Sequence, residues 1–310
     1  MEYEKIVLVT RKTRLDGLLE RFHTRGQAKF YLEHSGVDFS RYAQEHDTYY
    51  AAVAELHRRL AKLAKIQEIE RSFLPNFVFA EHDLVVTIGI DGLVVNTAKY
   101  LNGQPLIAVN PDPQHIDGIL LPFTVETAPL AALQVRKGQF RERKITMAEA
   151  RLNDGQSLLA FNDLFVGARS HVSARYRILF REQEERHSSS GVIISTGAGS
   201  TGWLSSMFHM TNGLLAGFAA NYPPLSPIRL DWEAERLIFI VREPFVSKTS
   251  GATITCGQIS PDCPLTLESE MPEGGVIFSD GVEADFLAFN AGAVTTIGLA
   301  KKKTRLIMPR

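Results

Sequence analysis

The chain has 310 residues, 45% of them hydrophobic and 22% charged, with a formal net charge of −1. That length admits two ordinary domains with cores of their own, and the near-neutral balance excludes a general electrostatic attraction to nucleic acid or an anionic membrane. The only cysteines, Cys256 and Cys263, make neither a disulfide framework nor a zinc site, and no two histidines are spaced as a helical metal-ligand pair, so no metal-ligating residue is singled out.

At the start, MEYEKIVLV is too acidic and too short in apolar length for a signal or transit peptide, and no run is long and apolar enough to span a bilayer, so a cytoplasmic protein is expected. Within it, Lys5 to Thr10 (KIVLVT) reads as a buried strand. From Leu15 to about Ser72 helical periodicity dominates, with Tyr50, Val53, Leu56, Leu60 and Leu63 on one stripe that reads as core. Phe77 to Phe79, Leu84 to Ile88 and Leu106 to Asn110 are further strand-like runs, with a helix-like Val94 to Leu101 between the last two. Strand, turn, helix, strand is the pattern of a parallel βαβ unit.

After Phe123 the texture changes to short alternating segments. Between His171 and Arg181, Val172, Ala174, Tyr176, Ile178 and Phe180 share one face and Ser173, Arg175 and Arg177 the other. Similar segments follow at Val192 to Thr196, Leu237 to Arg242, Ala252 to Cys256, Leu265 to Ser269, Val276 to Ser279 and Val294 to Leu299, separated by Gly, Pro and Asp turns. The predicted division is an α/β domain over residues 1–124, with about 288–310 as candidates to complete it, and a β-rich domain over 125–287.

Two glycine clusters draw attention. GAGSTG, Gly197 to Gly202, satisfies G-x-G-x-x-G after a short apolar run. A Rossmann turn would open a βαβ unit and have an acid about 20 residues on to hold the ribose. This cluster instead lies mid-chain in the β-rich half, and Asp231 comes too late. No Walker pattern occurs either. The second cluster, TIGIDGL from Thr87 to Leu93, joins a strand to a helix, where backbone N–H groups meet phosphate oxygens and an acid can take a proton from a hydroxyl. Asp91 is therefore a candidate base; a turn residue capping the helix is the alternative. Asp280-Gly281 reads as a hairpin turn.

TIGIDG, AVNPDP, AFND and ISTGAGSTGW, in that order on an α/β-then-β layout, resemble the NAD kinase family. The resemblance covers about residues 5 to 299, and LLERFH, PLIAVNPDP, FNDLFVG and SSGVIISTGAGSTGW are most similar to its mitochondrial-type subgroup. It implies an N-terminal Rossmann-like α/β domain and a C-terminal β-sandwich-like domain, with the active site in the cleft between them. It also implies transfer of a phosphoryl group from ATP or a similar donor, with Mg2+, to the adenosine ribose 2′-hydroxyl of NAD, giving NADP.

By the same resemblance Asp91 is the catalytic acid of the GGDG motif, and Gly89, Ile90 and Gly92 form the donor-binding turn. Asn110, Asn162, Asp163, Thr196, Thr201, Gly202 and Trp203 line the dinucleotide site, where the Trp203 ring is suited either to stacking on a base or to core packing. The implied partners are small-molecule nucleotides and a second copy in a homodimer, with no nucleic acid and no membrane. The sequence departs from the family pattern at GIDGL, where Ile90 replaces a glycine and Leu93 a polar residue. A β-branched residue at a position needing positive φ or close phosphate approach would be costly. A non-catalytic NAD(P)-binding relative with an impaired donor loop therefore stays open, as does a kinase for another hydroxyl acceptor, sugar or lipid.

Overall fold

In the computed structural model, which describes residues 3–219 and 222–310, KIVLVT becomes strand β1 (Lys5–Thr10), buried almost throughout. Helix α1 (Arg14–Phe22) begins with a reciprocal capping box between Thr13 and Asp16, and α2 (Arg25–His34) and α3 (Phe39–Leu60) follow. Then come β2 (Lys65–Glu70), β3 (Asp83–Ile88), α4 (Asp91–Ala98), β4 (Pro105–Asn110), the two-residue β5 (Phe123–Thr124) and α5 (Ala128–Arg136). The strands pair in the order β4-β3-β1-β2, all parallel, as the βαβ reading requires. Beyond β4, Arg305 and Leu306 from the end of the chain pair in parallel with Pro105 and Leu106.

Apolar residues of these strands, among them Ile6, Leu8, Leu84, Val86, Ile107 and Val109, pack with Tyr49, Val53, Leu56 and Leu60 of α3 and with Ala128, Ala131, Ala132 and Val135 of α5. The stripe of α3 starts at Tyr49; Tyr50 is 42% exposed and Leu63 lies beyond the helix. Two further expectations are corrected. KIQEIE, placed within the helical stretch, is strand β2, and Phe77 to Phe79 is loop following a 3-10 turn (Arg71–Asn76) that contains Pro75.

The chain divides into two units, residues up to Arg143 with Thr304–Arg310, and Lys144–Lys303. The first unit extends past 124 because α5 belongs to its core, and it takes back only the last residues of the chain, not everything from 288.

The second unit holds β6 (Arg141–Leu152, from Lys144 on), β7 (Ser157–Ala160), β8 (Asp163–Ala168), β9 (Ala174–Phe180), β10 (Gln183–Ser189), β11 (Val192–Ser195) and α6 (Trp203–Phe218). It continues with β12 (Leu237–Val241), β13 (Cys256–Ile259), β14 (Leu265–Ser269), β15 (Gly275–Ser279), β16 (Val282–Ala288) and the first part of β17 (Val294–Met308). One sheet runs β13-β12-β11-β8-β15-β16, antiparallel throughout. The other strands run β10-β9-β14-β17, also antiparallel, with β6 joining β17 and β7.

Leu164, Val166, Ile194 and Phe239 of the first sheet share one core with Tyr176, Ile178, Leu265 and Leu267 of the second, which makes the unit a β-sandwich. The segment expected as a strand at Ala252 to Cys256 is irregular, and pairing begins at Cys256. Among the described residues, no helix is long and apolar enough to cross a membrane.

Candidate functional site

The turn between β3 and α4 has an ordinary geometry that the sequence did not suggest. Ile90 is the N-cap residue at φ −105° and ψ 167°, an extended conformation that a β-branched side chain adopts without strain, and no side chain caps the helix. Asp91 is thus the first helical residue, not a cap. The backbone strain expected of Ile90 is absent, since it has no positive φ, while its side chain is 40% exposed, where a ligand could meet it. Leu93 points into the core, only 1% exposed, and so does not face a donor.

A Cβ on Gly89 would stand 3.0 Å from Leu93 Cδ2 and 3.4 Å from Arg11 Cδ, whereas one on Gly92 would meet nothing within 4 Å. Gly89 therefore permits close packing, and Gly92 leaves open space at the helix start, where unpaired N–H groups attract anions. Leu93→Thr, the change toward the family pattern, should then cost about 2 kcal/mol through loss of buried apolar contact. Ile90→Gly should change stability less, because glycine is the better N-cap and this offsets its greater entropy in the unfolded chain. Urea midpoints of the two variants check this order.

Asp91 and Asn110 jointly hold the loop after β4. The Asp91 carboxylate accepts the Leu120 N–H through Oδ1 at 2.8 Å. The Asn110 amide donates to the Ile116 carbonyl at 2.8 Å and accepts the Asp112 N–H at 2.9 Å. Asn110 is buried with both ends engaged, so it shapes the loop.

Beside this loop lies a cavity of about 610 Å³ lined by Arg11, Arg14, Arg41, Gln44, Glu45, Thr48, Tyr49, Ile90, Pro111, Asp112, His115 and Ile116. It opens at the carboxyl ends of β1, β3 and β4. Because β1 pairs with β2 on one side and β3 on the other, this is where the strand order reverses, the usual ligand crevice of an open parallel sheet. Tyr49 fixes its floor: its hydroxyl accepts the Arg11 N–H at 2.8 Å and donates to the Ile88 carbonyl at 3.1 Å. Burial pushes that hydroxyl up to about 12, so it stays protonated near neutral pH.

In the second unit, Asp163 starts β8 with Asn162 just before it, and both are held from two sides. Asp280 and Gly281 form the two-residue turn between β15 and β16 at φ 54° and 70°, the left-handed pair that a tight hairpin demands. The Asp280 carboxylate then accepts the N–H groups of Phe161 at 3.1 Å, Asn162 at 2.7 Å and Asp163 at 3.2 Å. From the other side, Thr196 donates its hydroxyl to the Phe161 carbonyl at 2.6 Å and its N–H to the Asn162 carbonyl at 2.9 Å.

The glycines of GAGSTG serve the same packing. A Cβ on Gly197 would lie 2.0 Å from the Asp231 carbonyl oxygen and one on Gly199 2.3 Å from that of Asn162. Close backbone approach therefore explains these two glycines without a phosphate. Thr196 is fully buried with its hydroxyl spent on Phe161 and Gly199, so its side chain has no face for a ligand and its part is to hold the loop. Thr201 and Gly202 are exposed.

Trp203 opens α6 with its ring stacked 5.9 Å from Phe165 at an interplanar angle of 11°. The Arg242 guanidinium lies 5.5 Å from its centroid, and the ring borders a recess of about 280 Å³ that Phe278, His171 and Glu283 also line. Asp280 makes the hairpin turn expected of it, and its reach to residues 161–163 has no local signal in the sequence.

Burial pushes the Asp163 carboxyl up to about 7, with the nearby Asp280 charge adding to the rise and a Ser195 hydrogen bond opposing it. The folded value lies above the ordinary 3.8, so the folded protein binds the extra proton and loses stability as pH rises from about 4 to about 7. Asp163→Asn is expected to remove that slope, gaining stability over the parent at pH 8 relative to pH 5. Urea unfolding at the two pH values tests it.

No protein-family model matches the chain. Curated NAD kinases are similar in sequence: that of Saccharolobus solfataricus is 28% identical over 151 residues, 49% of this chain and 57% of that protein. That of Saccharolobus islandicus is 28% identical over 168 residues, 54% of this chain and 61% of that protein. The matched part thus spans 57% to 61% of these relatives' length. Among solved structures, yeast NADH kinase complexed with NADH superposes with a TM-score of 0.58 at 13% identity, over 100% of this chain and 85% of that one. An NAD kinase from Archaeoglobus fulgidus in complex with ATP gives 0.55 at 17% identity, over 97% and 92%. At these identities the structural likeness establishes the fold. The resemblance to the NAD kinase family is therefore present both in sequence and in fold.

Proposed function

We propose that the chain is an NAD kinase-type phosphotransferase, which moves a phosphoryl group from ATP or a similar donor to the adenosine ribose 2′-hydroxyl of NAD and so makes NADP. The observation that carries this reading is the position of Asp91, at the start of α4 where the strand order of a parallel sheet reverses, beside a cavity lined with arginines. A ribose hydroxyl is a weak nucleophile, and a positioned carboxylate helps by taking its proton as the new O–P bond forms and the donor's O–P bond breaks. The Leu120 N–H holds Asp91 Oδ1, while Oδ2 accepts no hydrogen bond among the described residues and is the oxygen assigned to the proton.

Gly89, Ile90 and Gly92 border the donor in this reading, and Asn162, Asp163, Thr201, Gly202 and Trp203 contact the dinucleotide. Asn110 and Thr196 act by holding their loops. That one structural neighbour was solved with NADH and another with ATP supports nucleotides as both substrates. Magnesium, which the resemblance implies, would arrive with ATP and would supply neutralisation of the phosphate charge. A homodimer in the cytoplasm completes the reading.

The non-catalytic alternative draws no support from backbone strain at Ile90 or from Leu93, which lies in the core. Purified protein supplied with NAD, ATP and Mg2+ is expected to form NADP, with NADH run in parallel as acceptor. Absence of phosphorylated product from either would overturn the proposal.

A further inference from the structure

The cavity at the strand-order reversal holds an arginine that its surroundings leave incompletely satisfied. Arg11 follows β1 directly, its side chain only 12% exposed and its guanidinium 5.0 Å from the centroid of the Tyr49 ring. One terminal nitrogen donates to Glu45 at 3.2 Å and the other to the Lys12 carbonyl at 3.1 Å, but Nε is buried with no partner. A buried donor left unpaired is costly, so a site that retains one is arranged for an acceptor that arrives.

Charge points the same way. Glu45 is shared, since Arg14 donates to it at 2.6 Å while Arg11 also leans on it. Arg41, 84% exposed, lies 4.0 Å from Asp38, and the one other acid among the described residues lining the cavity, Asp112, is bonded to His115 at 2.8 Å. Three permanent cations thus face one shared carboxylate and one engaged with a histidine. Arg11 also lies along Gly89, with Cδ 3.4 Å from where a Cβ would stand, so its cation is beside the turn that carries Asp91.

We infer that Arg11, with Arg14 beside it, grips the phosphate chain of the donor in this cavity, taking the place of the second glycine missing from the turn. The ligand class is a linear chain of phosphates, as in a nucleoside triphosphate; guanidinium forks match its oxygens in pairs. Glu45 then acts as a competitor that holds the two arginines in position until the anion displaces it. The inference deepens the kinase reading and rests on it for the identity of the donor, though the cavity's affinity for a phosphate chain is measurable without turnover.

The experiment is calorimetric titration of the full chain with inorganic tripolyphosphate and, separately, with ATP. Arg11→Met is expected to weaken both at least tenfold, Arg11→Lys less so, and Arg58→Met, on an exposed ion pair elsewhere, not at all. Glu45→Gln is expected to tighten binding several-fold, whereas a merely structural Arg11–Glu45 pair would give weaker binding in that variant. Arg11→Met with parental affinity, or Glu45→Gln and Arg11→Met weakened alike, overturns the inference. Arginine-dependent tripolyphosphate binding without NADP formation would uphold this site and sink the kinase reading; NADP formation with an ATP KM indifferent to Arg11→Met would do the reverse.

Discussion

Asp91→Asn should lower kcat for NADP formation by about 10²- to 10⁴-fold, the usual contribution of a positioned general base. The substitution is informative because of the contact it keeps. An asparagine carbonyl oxygen can still accept the Leu120 N–H that Asp91 Oδ1 accepts at 2.8 Å, so the loop after β4 stays anchored while the proton acceptor is lost. Asp91→Ala removes both functions, and its larger effect on the urea midpoint would separate anchoring from chemistry. Equal turnover by the asparagine variant and the parent would exclude Asp91 as the base. A rise in KM alone would point to donor positioning instead.

Asp280→Ala should cost about 3 kcal/mol of folding stability and weaken NAD binding. Its carboxylate accepts three successive N–H groups, from Phe161, Asn162 and Asp163, and a charged acceptor makes such bonds worth about 1.5–3 kcal/mol each before their mutual dependence is allowed for. Asp280→Asn keeps a residue that tolerates φ 54° and one side-chain acceptor, and is expected to fall between alanine and the parent. It also withdraws the charge that helps raise the Asp163 carboxyl. Chemical unfolding and NAD calorimetry on both variants read out these effects. An alanine variant with the parental urea midpoint would mean that the three bonds carry no net weight.

Local pattern made some of this architecture readable and concealed other parts. KIVLVT was plain because a strand covered on both faces is a continuous apolar run. KIQEIE was not, because β2 is the edge of the same sheet; Ile69 is its one fully buried position, and its charges continue the periodicity of α3. Helix α6 had no legible stripe: WLSSMFHMTNGLLAGF contains no Asp, Glu, Lys or Arg, and only Leu204 is buried. At the candidate site, TIGIDG located the turn because a strand-to-helix junction is local, but the sequence could not say that Leu93 faces inward or that Ile90 is extended. Arg11, Tyr49 and Asp280 act across long stretches of chain, by contacts for which neither spacing nor composition leaves a mark.

The pairing of Arg305 and Leu306 with β4 sets a schedule for synthesis and folding. Leu306 and Ile307 are buried, and Ile307 belongs to the core formed by β1, β3 and α3, so these strands wait for residues that are synthesised long after them. Until then the start of β4 presents an apolar edge of unpaired backbone groups, the kind of surface on which chains associate wrongly. Contacts so distant in sequence also slow folding, since the entropy of closing the intervening loop must be met before the pairing rewards it. Removing residues 304–310 would therefore damage the unit that carries Asp91.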